Sequence, residues 1–261
     1  MEKKGRRITA CIIPARYASQ RLPAKALIAV RGMPIIVWVY KNVVRSQAFD
    51  SVIVATDDRR IADAVRRWGG TAVMTSVRHT SGTDRIYEAA HQIRCDYIVN
   101  VQGDEPRIPP RMLREFKKAL RGIDDNTLLT CATNATLEEM HNPSVVKVVR
   151  NAMGEALYFS RSPIPYYRSG ASGKRLKHKG LKHIGIYGFT FKGLGRFCAL
   201  PKGWLEQAEK LEQLRALEGG MKIRCLVLPY RGGIAVDTPA DLAAFRLMAG
   251  ETTGEKKGQR P

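Results

Sequence analysis

Arg16, Arg21 and Lys25 place three cations within ten residues, in the stretch PARYASQRLPAKAL (14–27) that follows a short apolar run. Fork-shaped guanidinium groups and a compact ammonium are the side chains that neutralise phosphate oxygens. The stretch lacks the glycines of a P-loop or a dinucleotide fingerprint. Its small residues Ala15, Ala18 and Ser19 still leave room for backbone N–H groups to approach an anion. A triphosphate fits this chemistry; an exposed charged loop is the alternative that the local sequence leaves open. A second polar segment, NVQGDEP (100–106), sets Asp104 directly behind another apolar run. A carboxylate there suits a hard cation such as Mg²⁺, which combines carboxylate oxygen with phosphates and water, although an ordinary turn would use the same residues. A second acid, Asp237 in GIAVDTP (233–239), stands between a strand-like and a helix-like stretch. Asp and Thr before Pro favour a helix start, so spacing alone points to a cap, and both roles are compatible.

The elements that must hold these residues follow from the hydrophobic pattern. Residues 8–14 read as a buried strand and 34–46 as an amphipathic helix. Residues 51–56 form a second strand, and 59–68 a helix with Ile61, Ala62, Val65 and Trp68 on one face. Gly69 and Gly70 stop that helix before a strand at 71–75. A helix over 82–93 and a strand over 97–102 complete at least four strands separated by helices. This alternation predicts an α/β fold with a parallel sheet covered by helices on both faces. Ligands gather at the carboxyl ends of such strands, which directs attention to the segments after Ile13, Thr56 and Val101. Beyond 128–132 the pattern changes to strand-like pieces at 145–149 and 156–159, a Pro-rich turn, and an alternating stretch at 183–191. A helix over 205–217, a strand over 223–228 and a closing helix over 239–248 follow. The expectation is one domain over 8–248, with a core at 8–135 and 222–248 and a smaller antiparallel lobe at about 136–221. The stretch 183–191 fits either a subunit-interface strand or an internal one.

Composition narrows the setting. With 261 residues, 44% of them hydrophobic, the chain can bury a sizeable core. No apolar run is long enough to span a bilayer and the basic start does not resemble a signal sequence, so a cytoplasmic protein without membrane insertion is expected. The five cysteines are scattered without metal-ligand spacing and read as small hydrophobes. The net charge of +20 is concentrated: residues 1–7 contribute +3, 251–261 contribute +1, and 168–183 carry six bases and no acid. Half of the excess therefore lies in two basic tails, expected to be mobile, and one loop. No stacking module accompanies it, so no specific nucleic-acid partner is expected.

Taken in order, these motifs resemble the 3-deoxy-manno-octulosonate cytidylyltransferases, or CMP-Kdo synthetases. The resemblance runs through IIPARYASQRLPAKAL, IVATDD (53–58), SGTDR (81–85) and VNVQGDEPRIP (99–109). It continues through NPSVVKVV (142–149), ALYFSRSPIP (156–165), HIGIYGF (183–189), LEQLRALE (211–218) and VDTPADL (236–242). It implies a Rossmann-like, GT-A-like nucleotidyltransferase sheet, transfer of CMP from CTP to Kdo with release of pyrophosphate for lipopolysaccharide biosynthesis, Mg²⁺ as cofactor, and a homodimer paired through the smaller lobe. By position it assigns Arg16, Arg21 and Lys25 to the triphosphate and sets Ala15, Ser81 and Gln102 near cytosine and ribose. It makes Asp104 and Asp237 the metal-binding acids, and places Arg161, His183, Tyr187, Glu212 and Gln213 around the acidic eight-carbon sugar. Two departures stand out. Ala24 and Ala26 replace a glycine and a proline common in the family, so a somewhat different backbone path is expected near Lys25. The basic stretch 168–182 is unusually charged; a solvated loop and an extra contact to an anionic sugar both remain open. So do transfer to 8-amino-Kdo or another ulosonic acid, and a noncatalytic anion- or nucleic-acid-binding relative.

Overall fold

In the computed structural model, residues 7–19, 21–168, 180–230 and 235–251 are described. The chain opens with β1 (Thr9–Ala15), a small hairpin of β2 (Ala29–Val30) and β3 (Met33–Pro34), and α1 (Ile35–Arg45). Next come β4 (Ser51–Thr56), α2 (Arg59–Arg67), β5 (Ala72–Met74), α3 (Gly82–His91) and β6 (Tyr97–Val101). The helix α4 (Pro110–Leu120) leads to β7 (Thr127–Asn134), and α5 (Leu137–His141) to the pair β8 (Lys147–Arg150) and β9 (Ala156–Ser160). β10 (Leu181–Thr190) is followed by α6 (Phe191–Ala199), α7 (Trp204–Glu209), α8 (Leu214–Glu218), β11 (Lys222–Val227) and α9 (Pro239–Met248).

The main sheet has the order β11-β7-β10-β6-β1-β4-β5. β1 pairs in parallel with β4 and β6, as do β4 with β5 and β7 with β11, whereas β10 is antiparallel to both its neighbours. The strand β1 shows why two helical layers are needed. Cys11 and Ile13 point into a core shared with Ile36 and Val39 of α1 and Phe116 of α4. Ala10 and Ile12 point the other way, into a core shared with Ile86 of α3 and Leu194 and Phe197 of α6. A strand apolar at every position is one covered on both faces. The mostly parallel α/β sheet is as the alternation predicts.

Two expectations change. The stretch 183–191, assigned to the smaller lobe, is antiparallel but lies inside the main sheet, hydrogen-bonded to β6 on one side and β7 on the other. Both its edges are taken, so it offers no free edge to a second subunit. Of the two placements open to this stretch, the pairing with β6 and β7 is the internal one, and it depends on partners distant in sequence, which alternation cannot register. The helix expected over 205–217 is two helices, because Lys210 adopts a left-handed conformation (φ 53°) and ends α7. Apart from Arg7 and Glu251, the expected basic tails lie outside the described residues, as does most of the basic loop at 168–182. Within the described part of that loop, the Lys182 ammonium pairs with Glu139.

Candidate active site

The carboxyl ends of β1 and β6 open into a cavity of about 370 Å³. Its lining brings together Ala15, Arg16, Arg21, Lys25, Ser81, Gln102, Asp104 and Asp237 from four separate stretches of sequence. Gly103 lets the turn after β6 settle on the end of β1, since a Cβ there would lie 2.7 Å from the Pro14 carbonyl oxygen. Asp104 is thereby fixed, and its carbonyl accepts a hydrogen bond from the Val236 N–H at 2.8 Å. That bond carries Asp237 to the side of Asp104. The Lys25 ammonium then donates to Asp104 Oδ2 and to Asp237 Oδ1, both at 2.7 Å, and Arg21 Nη2 donates to Asp237 Oδ2 at 2.9 Å.

Asp237 is not the cap of α9. Thr238 is, in a capping box with Asp241, which leaves the Asp237 carboxylate turned to the cavity. Burial works to raise the Asp237 carboxyl, but Lys25 and Arg21 override it and hold it below the usual range. Burial likewise works against the Lys25 charge, and the two carboxylates outweigh it, so the amine stays protonated. Behind them, burial and the charges of Asp104 and Asp237 push Glu105 up to about 8.

Two acids converge on one cation, and among the described residues no cluster of three or more metal-ligating side chains exists. A pair of carboxylates beside a cation-lined cavity is a donor set that suits Mg²⁺, which keeps water and substrate oxygens as its other ligands.

The turn carrying Lys25 is held by strain. Ala24 sits at φ 52°, ψ 27°, the left-handed region that glycine occupies freely and that costs an alanine about 1 kcal/mol. The alanine therefore takes up a conformation natural to glycine, the residue the family resemblance sets at this position. An Ala24→Gly variant is expected to gain roughly 0.5–1 kcal/mol in urea unfolding with unchanged turnover; a loss of stability would contradict the strain.

A second group of side chains forms beside the first. Thr83 Oγ1, two residues after Ser81, donates to Glu212 Oε2 at 2.6 Å, and the Tyr187 hydroxyl donates to Gln213 Oε1 at 3.1 Å. Glu212 and Gln213 lie in the break between α7 and α8, where Glu212 meets Thr83 of α3 and Gln213 meets Tyr187 of β10. Glu212 Oε1 and Gln213 Nε2 are buried and have no hydrogen-bond partner, an arrangement that native interiors rarely leave unsatisfied. His183 packs edge-on to Phe159 and beside Tyr187. Arg161 stands apart from the cavity lining: its Nε donates to the Glu209 carbonyl at 2.8 Å and its Nη1 to that of Pro143 at 3.1 Å. The buried Lys147 ammonium fixes the same turn by donating to the carbonyls of Asn142, Val145 and Arg161.

Burial pushes the His183 imidazole down to about 3, so the ring is neutral at pH 7. In the unfolded chain it titrates near 6.5, and between those values only the unfolded state holds the extra proton. Stability is expected to fall as pH drops from about 6.5 toward 3, this group contributing a slope of up to about 1.4 kcal/mol per pH unit. Urea melts of a His183→Asn variant should show a shallower pH dependence; parallel profiles would contradict the burial argument.

Residues without a role in the sequence reading also line the cavity. Arg85, 3% exposed, donates to Thr75 Oγ1 at 2.6 Å and to Asp57 Oδ2 at 2.7 Å. The His79 ring hydrogen-bonds to Glu88. Arg85 and Asp57 belong to SGTDR and IVATDD, which were visible, but a buried ion pair joining α3 to the end of β4 leaves no periodic trace.

The sequence model of the cytidylyltransferase family matches residues 10–223. A 3-deoxy-manno-octulosonate cytidylyltransferase of Trichlorobacter lovleyi is 44% identical over 241 residues, covering 88% of this chain and 94% of the relative. One of Escherichia coli is 42% identical over 247 residues, covering 94% and 97%. The solved structure of a CMP:2-keto-3-deoxy-manno-octonic acid synthetase complexed with CTP superposes with a TM-score of 0.85 at 42% identity, covering 94% of this chain and 99% of that one. The chain belongs to the cytidylyltransferase family and, within it, to the 3-deoxy-manno-octulosonate cytidylyltransferases.

Proposed function

We propose that this protein transfers CMP from CTP to Kdo, giving CMP-Kdo and pyrophosphate for lipopolysaccharide biosynthesis. The observation that carries the reading is the junction of two unlike groups. A cavity lined by Arg16, Arg21 and Lys25 around paired acids lies beside a cluster of side chains in which a buried acceptor, Glu212 Oε1, and a buried donor, Gln213 Nε2, have no hydrogen-bond partner among the described residues. The first suits a triphosphate and the second a polyhydroxylated sugar. Arg161 Nη2 makes no hydrogen bond among the described residues and is the cation available to the sugar carboxylate. The anomeric hydroxyl forms a bond to the α-phosphorus of CTP while the bond to the pyrophosphate oxygen breaks.

Arg16, Arg21 and Lys25 hold the phosphates in line and offset the charge that builds on their oxygens, so catalysis comes from positioning and electrostatics rather than from a protein nucleophile. Asp104 and Asp237 would hold Mg²⁺, which when bound polarises phosphate oxygen and lowers the pKa of a coordinated hydroxyl. Gln102, Ser81 and Ala15 also line the cavity and would face cytosine and ribose.

A homodimer belongs to the same proposal. Met153, Leu157, Tyr166 and Trp204, all within 136–221, expose from 60% to 88% of their surface, which is apolar area a second subunit would cover. No described helix is long and apolar enough to cross a membrane, and a reaction consuming CTP fits the cytoplasm. Pyrophosphate release should be measured with CTP and Mg²⁺ against Kdo, 8-amino-Kdo and sialic acid. Release with Kdo that chelation abolishes is expected; release with another sugar alone, or with none, would reject the assignment.

A further inference from the structure

We infer that Thr130 is a positioning residue that fixes His183 in the tautomer protonated on Nε2, so that Nδ1 is presented as an acceptor to a hydroxyl of the sugar acid. The inference follows from counting protons at a bulge. β10 carries two extra residues, Gly185 and Ile186, opposite β7, and Thr130, 0% exposed, fills the irregularity. Its Oγ1 lies 2.8 Å from the Ile186 carbonyl oxygen and 2.8 Å from His183 Nε2. Neither this carbonyl nor that of Ile184, 3.5 Å away, brings a proton, so the single hydroxyl proton is directed at a carbonyl, Ile186 being the nearer. The contact to His183 then requires a proton from the ring, and Nε2 is the nitrogen that bears it. A neutral ring protonated there has its lone pair on Nδ1, which makes no hydrogen bond among the described residues. The Phe159 and Tyr187 rings, with centroids 5.1 and 5.4 Å away, restrict rotation of the imidazole. A bulge that re-aims a side chain beside a site is a recurrent use of this irregularity.

The sugar half of this assignment rests on the proposed function; the tautomer half does not. ¹⁵N NMR of the substrate-free protein at pH 7 should show His183 with a protonated Nε2 and an unprotonated Nδ1. Thr130→Val, which keeps the shape and removes the hydroxyl, should mix the tautomers and raise the sugar KM by roughly tenfold with an unchanged CTP KM. Thr130→Ser should restore both. A wild-type ring protonated on Nδ1, or a folded Thr130→Val protein with an unaltered sugar KM, would overturn the proposal. If the valine variant does not fold, the wild-type spectrum and the serine variant decide. The expected spectrum in a protein that accepts no sugar acid would uphold the tautomer and overturn the function.

Discussion

In a Lys25→Met variant kcat is expected to fall by roughly 10³-fold, while the protein without nucleotide binds Mg²⁺ or Mn²⁺ more tightly. The two effects have one origin. The Lys25 ammonium lies 2.7 Å from a carboxylate oxygen of Asp104 and 2.7 Å from one of Asp237, at 16% exposure. In the free protein it neutralises the acids that would hold a metal ion, and so competes with that ion. Under the proposed function, with substrate in place the same charge would face the phosphates, where negative charge grows as the bond to pyrophosphate breaks. Methionine keeps the length and apolar stem of lysine and removes only the charge. Arg21 alone would then pair with Asp237, through a side chain 67% exposed and correspondingly screened. Turnover from the pyrophosphate assay and metal affinity by calorimetry test the two halves separately. A kcat within tenfold of wild type would reduce Lys25 to a strut between loops, and weaker metal binding would remove Asp104 and Asp237 as the metal-holding pair.

That site was legible in the sequence to the extent that its parts are local. Arg16, Arg21, Lys25 and Asp104 sit just behind strands whose apolar runs are unmistakable, and the rule that ligands gather at strand carboxyl ends locates them without tertiary information. Asp237 was less legible. A carboxylate before Thr-Pro reads as a cap, but Thr238 takes that role, its hydroxyl accepting from the Asp241 N–H, while the backbone bond from Val236 to Asp104 brings Asp237 to the cavity. The second cluster of side chains could not be read from pattern. Glu212 and Gln213 lie on what periodicity treats as one continuous helix, and the left-handed Lys210 that breaks it is not a residue type that announces a break. His183 and Tyr187 occupy a strand whose alternation is clear but whose neighbours, β6 and β7, lie more than 45 residues away in sequence. Family resemblance named these residues; physical reading of the chain did not. Glu105 and Arg85 escaped both routes, because their distinction is burial among other charges, a property of the assembled fold.

The second large effect is expected at Glu212. In Glu212→Gln, kcat/KM for the sugar should drop by about 10²-fold, with the CTP KM unchanged, while the free protein becomes more stable at pH 8. Glu212 Oε2 accepts the Thr83 hydroxyl at 2.6 Å, but Oε1 is buried without a hydrogen bond. Arg215 Nη2 is 3.8 Å from it and committed to Glu206 at 2.7 Å. Burial raises the Glu212 carboxyl further than Thr83, Ser81 and Arg215 lower it. A carboxyl whose folded pKa exceeds its unfolded value of 4.5 costs stability as pH rises through that range, because the unfolded chain releases its proton first. Glutamine keeps the carbonyl that Thr83 bonds and cannot ionise. Its gain should therefore appear at pH 7–8 and vanish below about 4.5. A sugar hydroxyl that donates to Oε1 would be the partner the free protein lacks, and an amide nitrogen in its place repels the same proton. Tolerating an unsatisfied charge until substrate arrives is the exchange of stability for binding that functional sites make. Urea melts at pH 4 and 8 and the sugar dependence of pyrophosphate release measure the two sides. A variant that gains stability but keeps full activity would show a misplaced charge without function, and one that loses both would show Glu212 to be structural.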